Sequence, residues 1–257
     1  MQLIDLSSPV DASFWEPEPL SITTMSAADG ARHLASEMRE HFGMDFDPNV
    51  LPGAEFLTND TLSLTTHTGT HVDAPAHYGS ITTYGEAPKT VEQLPVDWFY
   101  RPAVVLDLTD APVGVVGADL LRAKLDEVGY TLSPLDIVLL NTGAARLVGT
   151  SKYFTEFVGL DRSGVDLLLD QGVRVIGTDA FSLDAPFTYI IEQYQKTGDP
   201  GVLWPAHFAG REREFCQIER LANLDALPRA HGFTLSCFPV KIVGAGAGWA
   251  RAVAVLD

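Results

Sequence analysis

The sequence predicts a single α/β domain spanning residues 1–257, in which helices flank a central mixed β-sheet. Three observations support this fold class. Apolar runs typical of buried strands alternate with segments of helical periodicity. The composition, with 46% hydrophobic and 20% charged residues, is that of an ordinary globular protein. The chain also contains no internal repeat, low-complexity tract or linker that would divide it, and its length suits one domain.

The predicted elements follow one another largely in a strand, helix, strand order. Helices are expected where apolar side chains recur every three or four residues, and Ser26 is a suitable N-cap for the first of them. Gly172 ends the third helix, because glycine readily adopts the conformation found at helix C-termini. The helices are predicted at residues 26–42, 117–129 and 163–171. Strands and apolar runs are predicted at residues 3–6, 61–66, 102–108, 136–140, 173–176, 233–242 and 250–256.

Charge and targeting signals limit the partners and the compartment. The chain carries 34 acidic and 17 basic residues, and the resulting net charge of -17 repels phosphate backbones and anionic lipid surfaces. Nucleic acid and membrane partners are therefore not expected. The two cysteines, Cys216 and Cys237, lack the spacing of a disulfide scaffold, which fits a reducing compartment. The N-terminus has neither a basic start nor a long apolar run, so a cytoplasmic protein is expected.

The densest group of metal-binding side chains lies in HTGTHVDAPAH, which begins at His67 and holds three of the seven histidines. In an extended strand His67, His71 and Asp73 would share one face, whereas in a helix Asp73 would lie about 240° around the axis from His67. Gly69 leaves space between these ligands, and Pro75 would end the strand. Two imidazoles and a carboxylate suit zinc, manganese or iron(II) and leave coordination positions open. Ordinary polar residues at a sheet edge are the alternative interpretation.

This segment resembles the H-x-G-T-H-x-D-x-P-x-H signature of the cyclase and kynurenine formamidase-like family. That family includes bacterial kynurenine formamidases, isatin hydrolases and aromatic polyketide ring cyclases. The similarity extends over most of the chain and includes LIDLSSP, LLNTG, GTDAFSLDAP, AHFAGREREFCQIERLANLDAL and KIVGAGAGWARAVAV. It implies a swivelling β/β/α fold with a partly barrel-like sheet.

The resemblance also implies roles for individual residues. In the family the first two histidines and the aspartate of the signature bind a metal, and the last histidine, His77 here, takes part in proton transfer. Formamidase-like members hold a second metal through the shared aspartate, a distant histidine and a glutamate. One or two divalent ions are therefore expected, with zinc as first choice and manganese as second. Asp179 and Asp184 are candidates for orienting a ligand imidazole or for capping a turn. The implied metal ligands are His67, His71, Asp73, His207 and Glu219.

Within the family, the chain most resembles the ring cyclases of tetracycline-type and related aromatic polyketide pathways. This narrower similarity lies in DASFWEPEPL, in the helix that follows it and in the segment from YFTEF to DAPF. It implies an enzyme that closes a ring of a small polyketide intermediate by aldol-type condensation and dehydration. Trp15, Phe181 and Trp204 would hold the flat substrate, and the helix and loop inserted at 26–60 would cover the pocket.

Two other functions are open alternatives. The first is a metal-dependent amide or lactone hydrolase, resembling kynurenine formamidase or isatin hydrolase, for which the same ligands and His77 would serve. The second is a protein that stores an ion or bridges subunits without catalysis, against which the open coordination and the adjacent histidine argue. The resemblance also implies a homodimer or homotetramer.

Overall fold

In a computed structural model, which describes residues 1–256, the chain forms thirteen strands and five α-helices. The strands among these residues are β1 (Gln2–Asp5), β2 (Ser21–Met25), β3 (Asn59–Ser63), β4 (His71–Asp73), β5 (Tyr100–Asp107), β6 (Gly114–Val116), β7 (Ile137–Asn141), β8 (Val158–Leu160), β9 (Val175–Thr178), β10 (Cys216–Glu219), β11 (His231–Ser236), β12 (Ala247–Trp249) and β13 (Val253–Leu256). The α-helices are α1 (Ala27–Phe42), α2 (Ala118–Glu127), α3 (Arg162–Asp170), α4 (Phe187–Thr197) and α5 (Pro205–Ala209).

Nine of these strands form one mixed sheet in the order β1-β13-β11-β5-β7-β9-β10-β4-β12. The central strands β5, β7, β9 and β10 are parallel, and the strands on both flanks pair antiparallel. The sheet curls into a half-barrel that is flanked by helices. Strand β9 is buried along its whole length, as a strand covered on both faces must be. The predicted α/β fold with a mixed, partly barrel-like sheet is confirmed.

Apolar side chains fill both faces of this sheet. On one face, Ile137 of β7 belongs to a buried cluster with Val72 of β4 and Ile218 of β10. On the other face, Val138 belongs to a second cluster that includes Leu168 of α3. Successive residues of a strand point to opposite faces, so β7 contributes to both clusters. Burying each large aliphatic side chain contributes roughly 1.5–3 kcal/mol, and this packing fixes the positions of β4 and β10.

Residues 16–65 form a separate compact unit. Within it β2 and β3 pair as an antiparallel ladder, and α1 begins at the predicted N-cap, where Ser26 accepts a hydrogen bond from Asp29 N. The helix ends at Gly43, whose φ of 65° is a left-handed conformation favoured by glycine. The helix predicted at 26–42 is therefore confirmed, while its role as a pocket cover stays a prediction.

The remaining elements follow the sequence prediction with shifted boundaries. The helices predicted after Gly117 and before Gly172 are α2 and α3, and the predicted buried strands correspond to β5, β7 and β9. The apolar run that begins at Phe233 is shorter as a strand than predicted, because β11 ends at Ser236. Among residues 1–256, no helix combines the length and the apolar character that crossing a bilayer requires.

Candidate metal centre

The histidine segment is bent, and its prediction as one extended strand is wrong. Only His71–Asp73 form a strand, while the residues before them form a turn. Gly69 lies in the bend with a φ of 68°, a conformation that glycine adopts without steric cost. A Cβ at this position would also lie 2.8 Å from Val10 Cγ2. The strand predicted to lead into the segment ends earlier, at Ser63, and pairs with β2 instead.

The bend nevertheless brings the three predicted ligands of the first metal together. His67 Nδ1 lies 3.0 Å from Asp73 Oδ1 and 3.2 Å from His71 Nε2. His71 Nε2 lies 3.3 Å from the same carboxylate oxygen. The other ring nitrogen of His71, Nδ1, is 2.9 Å from the carbonyl oxygen of Gly69, which suits donation of its proton there. With Nδ1 engaged, the lone pair of His71 Nε2 faces the carboxylate.

A neighbouring strand adds a second carboxylate. Strand β10 pairs antiparallel with β4 so that Glu219 lies opposite His71, and such cross-strand neighbours project from the same face of a sheet. Glu219 Oε2 is 3.6 Å from His71 Nε2, and Oε1 accepts a hydrogen bond from Leu183 N at 3.0 Å. The fold therefore places this glutamate beside the first three residues, and its role as a ligand stays a prediction.

His207 reaches the centre from α5, and Asp184 fixes its orientation. Asp184 Oδ1 accepts a hydrogen bond from Ala206 N at 2.7 Å, and Oδ2 accepts one from His207 N at 3.0 Å. Asp184 Oδ2 also lies 2.5 Å from His207 Nδ1, so His207 Nε2 faces Glu219 Oε1, at 4.0 Å. Gly159 permits this arrangement, because a Cβ there would lie 2.2 Å from the carbonyl carbon of Asp184. Asp184 thus caps the start of α5 and orients the imidazole of His207, a candidate ligand.

His77 lies on the solvent-exposed side of the centre. It belongs to the 3₁₀ turn Pro75–Tyr78, which follows β4 after one residue. Its ring is 4.2 Å from that of His67 and 5.4 Å from that of His207. Desolvation of the packed side of the ring, together with the neighbouring imidazoles, lowers the pKa of His77 to about 4, although Asp73 opposes this shift. The imidazole is therefore neutral near pH 7.

The charges of the centre fit a divalent cation. Burial disfavours ionisation of Asp73, but His71 and His67 hold its pKa well below the usual range. Burial and the charge of Asp73 raise the pKa of Glu219. Among residues 1–256, neither carboxylate oxygen of Asp73 has a hydrogen-bond partner, although two imidazole nitrogens lie within 3.3 Å of Oδ1. Nitrogen and oxygen atoms that can ligate a metal therefore converge within about hydrogen-bond distance of one another, as a metal site requires.

Two overlapping groups of side chains offer ligand atoms within 4.8 Å of one another. One contains His67, Asp73 and His77, and the other contains His71, Asp73 and Glu219. Asp73 belongs to both groups, whereas the predicted ligand His207 belongs to neither and the predicted proton carrier His77 belongs to the first. Imidazole and carboxylate donors suit zinc and manganese. The donor set supports a divalent metal, while the identity and the number of the ions stay predictions.

Aromatic side chains from several loops and from helix α4 form a continuous row. Trp15 and Phe154 have ring centroids 5.2 Å apart, and Phe154 and Phe181 are 4.7 Å apart. The row continues from Phe181 to Phe187 at 5.7 Å and from Phe187 to Trp204 at 5.2 Å. Trp204 is the residue directly before α5, the helix that carries the distant histidine. The three predicted substrate-binding residues thus lie in one row, and their contact with substrate stays a prediction.

Comparison with known proteins identifies the family. Residues 4–185 match the family model described as Putative cyclase. The chain belongs to this cyclase family. It is 31% identical to a kynurenine formamidase from Maricaulis maris, over 75% of this chain and 78% of that protein. It is 29% identical to a kynurenine formamidase from Salinibacter ruber, over 75% of this chain and 77% of that protein. Isatin hydrolase A from Ralstonia solanacearum shares its fold, with a TM-score of 0.74, 22% identity and coverage of 100% of this chain and 92% of that chain.

These relatives overturn the prediction of an aromatic polyketide ring cyclase. The two curated relatives are formamidases, the solved structure is an isatin hydrolase, and none of the three is a polyketide cyclase. The prediction relied on overall similarity in the N-terminal insertion and in the segment from YFTEF to DAPF, where no catalytic residue distinguishes the two activities. Membership of the cyclase family and the donor set support an enzyme with a divalent metal, and the relatives favour the hydrolase alternative.

Several residues of this region were missed or left open by the sequence analysis. Phe154 and Phe187 complete the aromatic row, and the signal that marks them is the local density of aromatic residues in YFTEF and APFTY. Asp179 does not contact a candidate ligand imidazole, because its carboxylate accepts hydrogen bonds from Thr142 and from Ala145 N. It therefore caps a turn, which is one of the two roles expected for it.

Replacement of single ligands is expected to reveal how many ions are bound. His207→Ala should remove about one equivalent of metal and leave the ion held by the signature residues, whereas His67→Ala should weaken the ion at that position. Metal content of the purified variants, measured by inductively coupled plasma mass spectrometry, checks this. His41→Ala is the control, because His41 lies exposed on α1 beside Glu37. Unchanged metal content in both ligand variants would contradict the assignment.

Proposed function

We propose that this protein is a metal-dependent hydrolase that cleaves the C–N bond of an amide on a small aromatic molecule. The observation that carries the proposal is the convergence of four imidazoles and two carboxylates around strands β4 and β10. The family relatives named kynurenine formamidase support the reaction class.

The chain supplies ligands for a divalent ion, with zinc as first choice and manganese as second. His67, His71 and Asp73 would hold one ion, and His207 and Glu219 would hold a second one that shares Asp73. A bound divalent ion would act as a Lewis acid that polarises the substrate carbonyl and stabilises the negative charge that develops on it. Four of the five proposed ligands come from the strand pair β4–β10 and from helix α5, which Asp184 caps, so their positions are set before substrate binds.

His77 is proposed to move the proton. Hydrolysis adds the oxygen of water to the carbonyl carbon, breaks the C–N bond and requires a proton on the departing nitrogen. A neutral imidazole accepts the proton that water loses and then donates it to that nitrogen. His77 suits this role because its ring is neutral near pH 7 and lies between two candidate ligands on the exposed side of the centre.

The aromatic row is proposed to hold the ring of the substrate. Flat aromatic side chains bind aromatic ligands through apolar contact and favourable ring geometry. Trp15 and Trp204 form the ends of the row, and Phe181 lies at its middle. Leu183, two residues after Phe181, donates its backbone N–H to Glu219. The loop that carries the middle ring of the row therefore also contacts a candidate metal ligand. The expected homodimer or homotetramer stays a prediction.

Turnover of a defined set of amides tests this proposal. N-formylkynurenine or isatin should be hydrolysed, and a formamide of an aliphatic amine should show kcat/KM lower by at least about tenfold, because it cannot stack on the row. Activity should disappear after chelation and return with zinc or manganese. Turnover that survives complete metal removal, or the absence of hydrolysis for every amide tested, would contradict the proposal.

The variant His77→Ala tests the proposed proton carrier. Loss of the imidazole should lower kcat by about 10²–10⁴-fold, the usual contribution of a positioned general acid or base. Metal content, measured in the same preparation, should remain that of the unaltered protein, with His41→Ala as the matched control. A parallel loss of metal would instead identify His77 as a ligand, in line with its position beside His67 and Asp73.

A further inference from the structure

Strand β10 places a buried amide next to the shared carboxylate. Gln217 pairs in register with Asp73 and precedes Glu219 by two residues, so its side chain lies on the sheet face that carries both carboxylates. Gln217 is fully buried, at 0% exposure. Among residues 1–256, neither its Oε1 nor its Nε2 has a hydrogen-bond partner.

The surroundings of Gln217 offer few other polar partners. Ile176 is its neighbour on β9, and Phe215 lies two residues before it on the same face. The ring of Tyr78 stacks on Phe215 at 5.6 Å, and the Tyr78 hydroxyl points to the backbone oxygen of Asp73, at 3.4 Å. A buried amide without a partner is destabilising, and fully buried polar groups normally have one. A complementary group lies on the neighbouring strand, because the cross-strand partner of Gln217 is Asp73, whose two buried carboxylate oxygens also lack a hydrogen-bond partner among residues 1–256.

Three other candidate ligands already have an orienting partner. His71 Nδ1 faces the carbonyl oxygen of Gly69, and Glu219 accepts a hydrogen bond from a backbone N–H. His207 is held by Asp184. Partners of this kind fix the direction of a ligand, and losing one typically weakens metal binding 10- to 100-fold. Asp73, which belongs to both ligand groups, has no such orienting partner among residues 1–256, and the amide of Gln217 lies opposite it on the neighbouring strand.

We propose that Gln217 is a positioning residue of the metal centre: in the metal-loaded protein its amide N–H donates to the Asp73 carboxylate and directs the carboxylate oxygens toward the metal. The inference rests on the metal centre of the proposed function. An ionised carboxylate has about four lone-pair positions, so Asp73 can accept this hydrogen bond and still bind two ions. In the alternative, Gln217 only fills space in the core or binds a buried water molecule, and an apolar side chain of equal size then replaces it without effect on metal binding.

The variants Gln217→Met and Gln217→Leu distinguish these roles through two measurements. Affinity for Zn²⁺ and for Mn²⁺, measured by competition with a chromophoric chelator, should fall about 10- to 100-fold. The Tm of the metal-free protein should stay the same or rise by about 2–4 °C, because an unpaired buried amide has been removed. The control is Ile218→Val, the next residue on β10, which is buried on the opposite face and should lower the Tm without changing metal affinity.

The outcomes separate this inference from the proposed function. Equal metal affinity in the Gln217 variants and in the unaltered protein would overturn the positioning role while leaving the metal centre in place. A loss of affinity as large in Ile218→Val as in the Gln217 variants would also overturn it, because general loosening of the strand would then be the cause. If the unaltered protein bound neither metal, the proposed function would fail, and this inference would fail with it.

Discussion

The burial of Asp73 is the constraint on which the rest of the centre depends. An isolated carboxylate in an apolar interior is destabilised by several kcal/mol, and its charge needs a compensating partner close by. Asp73 is fully buried, and its neighbours are imidazoles with ring nitrogens within 3.3 Å of one carboxylate oxygen. These imidazoles favour the ionised form of Asp73, and a divalent ion bound by the same nitrogen and oxygen atoms would supply further compensating charge. The ligand arrangement and the demand for a divalent metal thus have one physical origin.

The scaffold meets this constraint with rigid elements and short-range orienting contacts. Strand β4 is only three residues long, but it pairs with β10 on one side and with β12 on the other. The same pairing with β10 sets Glu219 opposite His71 and Gln217 opposite Asp73. Helix α5 carries His207, and the Asp184 carboxylate accepts hydrogen bonds from backbone N–H groups in the first turn of this helix. The proposed proton carrier, in contrast, lies at the exposed side, where a substrate and water can reach it.

Much of this could be predicted from the sequence, because the relevant signals are local. The α/β class follows from buried apolar runs such as that of β7, and α1 follows from its Ser26 cap and its periodicity. The spacing of His67, His71 and Asp73 correctly predicted that their side chains lie together. The predicted local structure, one extended strand, was wrong, because a turn precedes the strand. Gly69 was interpreted as space for an ion, whereas its main role is a left-handed bend that folds His67 back onto the strand. A single glycine between polar residues does not distinguish these two roles.

Long-range and functional features were less predictable. His207 and Glu219 were predicted only from the family resemblance. The local sequence around them predicts neither the pairing of β10 with β4 nor the contact of His207 with Asp184. The buried state of Gln217 depends on the same register and could not be inferred beforehand. The prediction of ring closure instead of hydrolysis was wrong, because both reactions need a polarised carbonyl and a proton carrier. Overall sequence similarity does not distinguish the two reactions.

The most direct test of this account is a crystal structure of the metal-loaded protein with anomalous diffraction data collected on both sides of the metal absorption edge. The account predicts an anomalous peak in contact with the Asp73 carboxylate and with nitrogens of His67 and His71. An anomalous map without a peak at Asp73, or with the metal bound only at other surface residues, would contradict it.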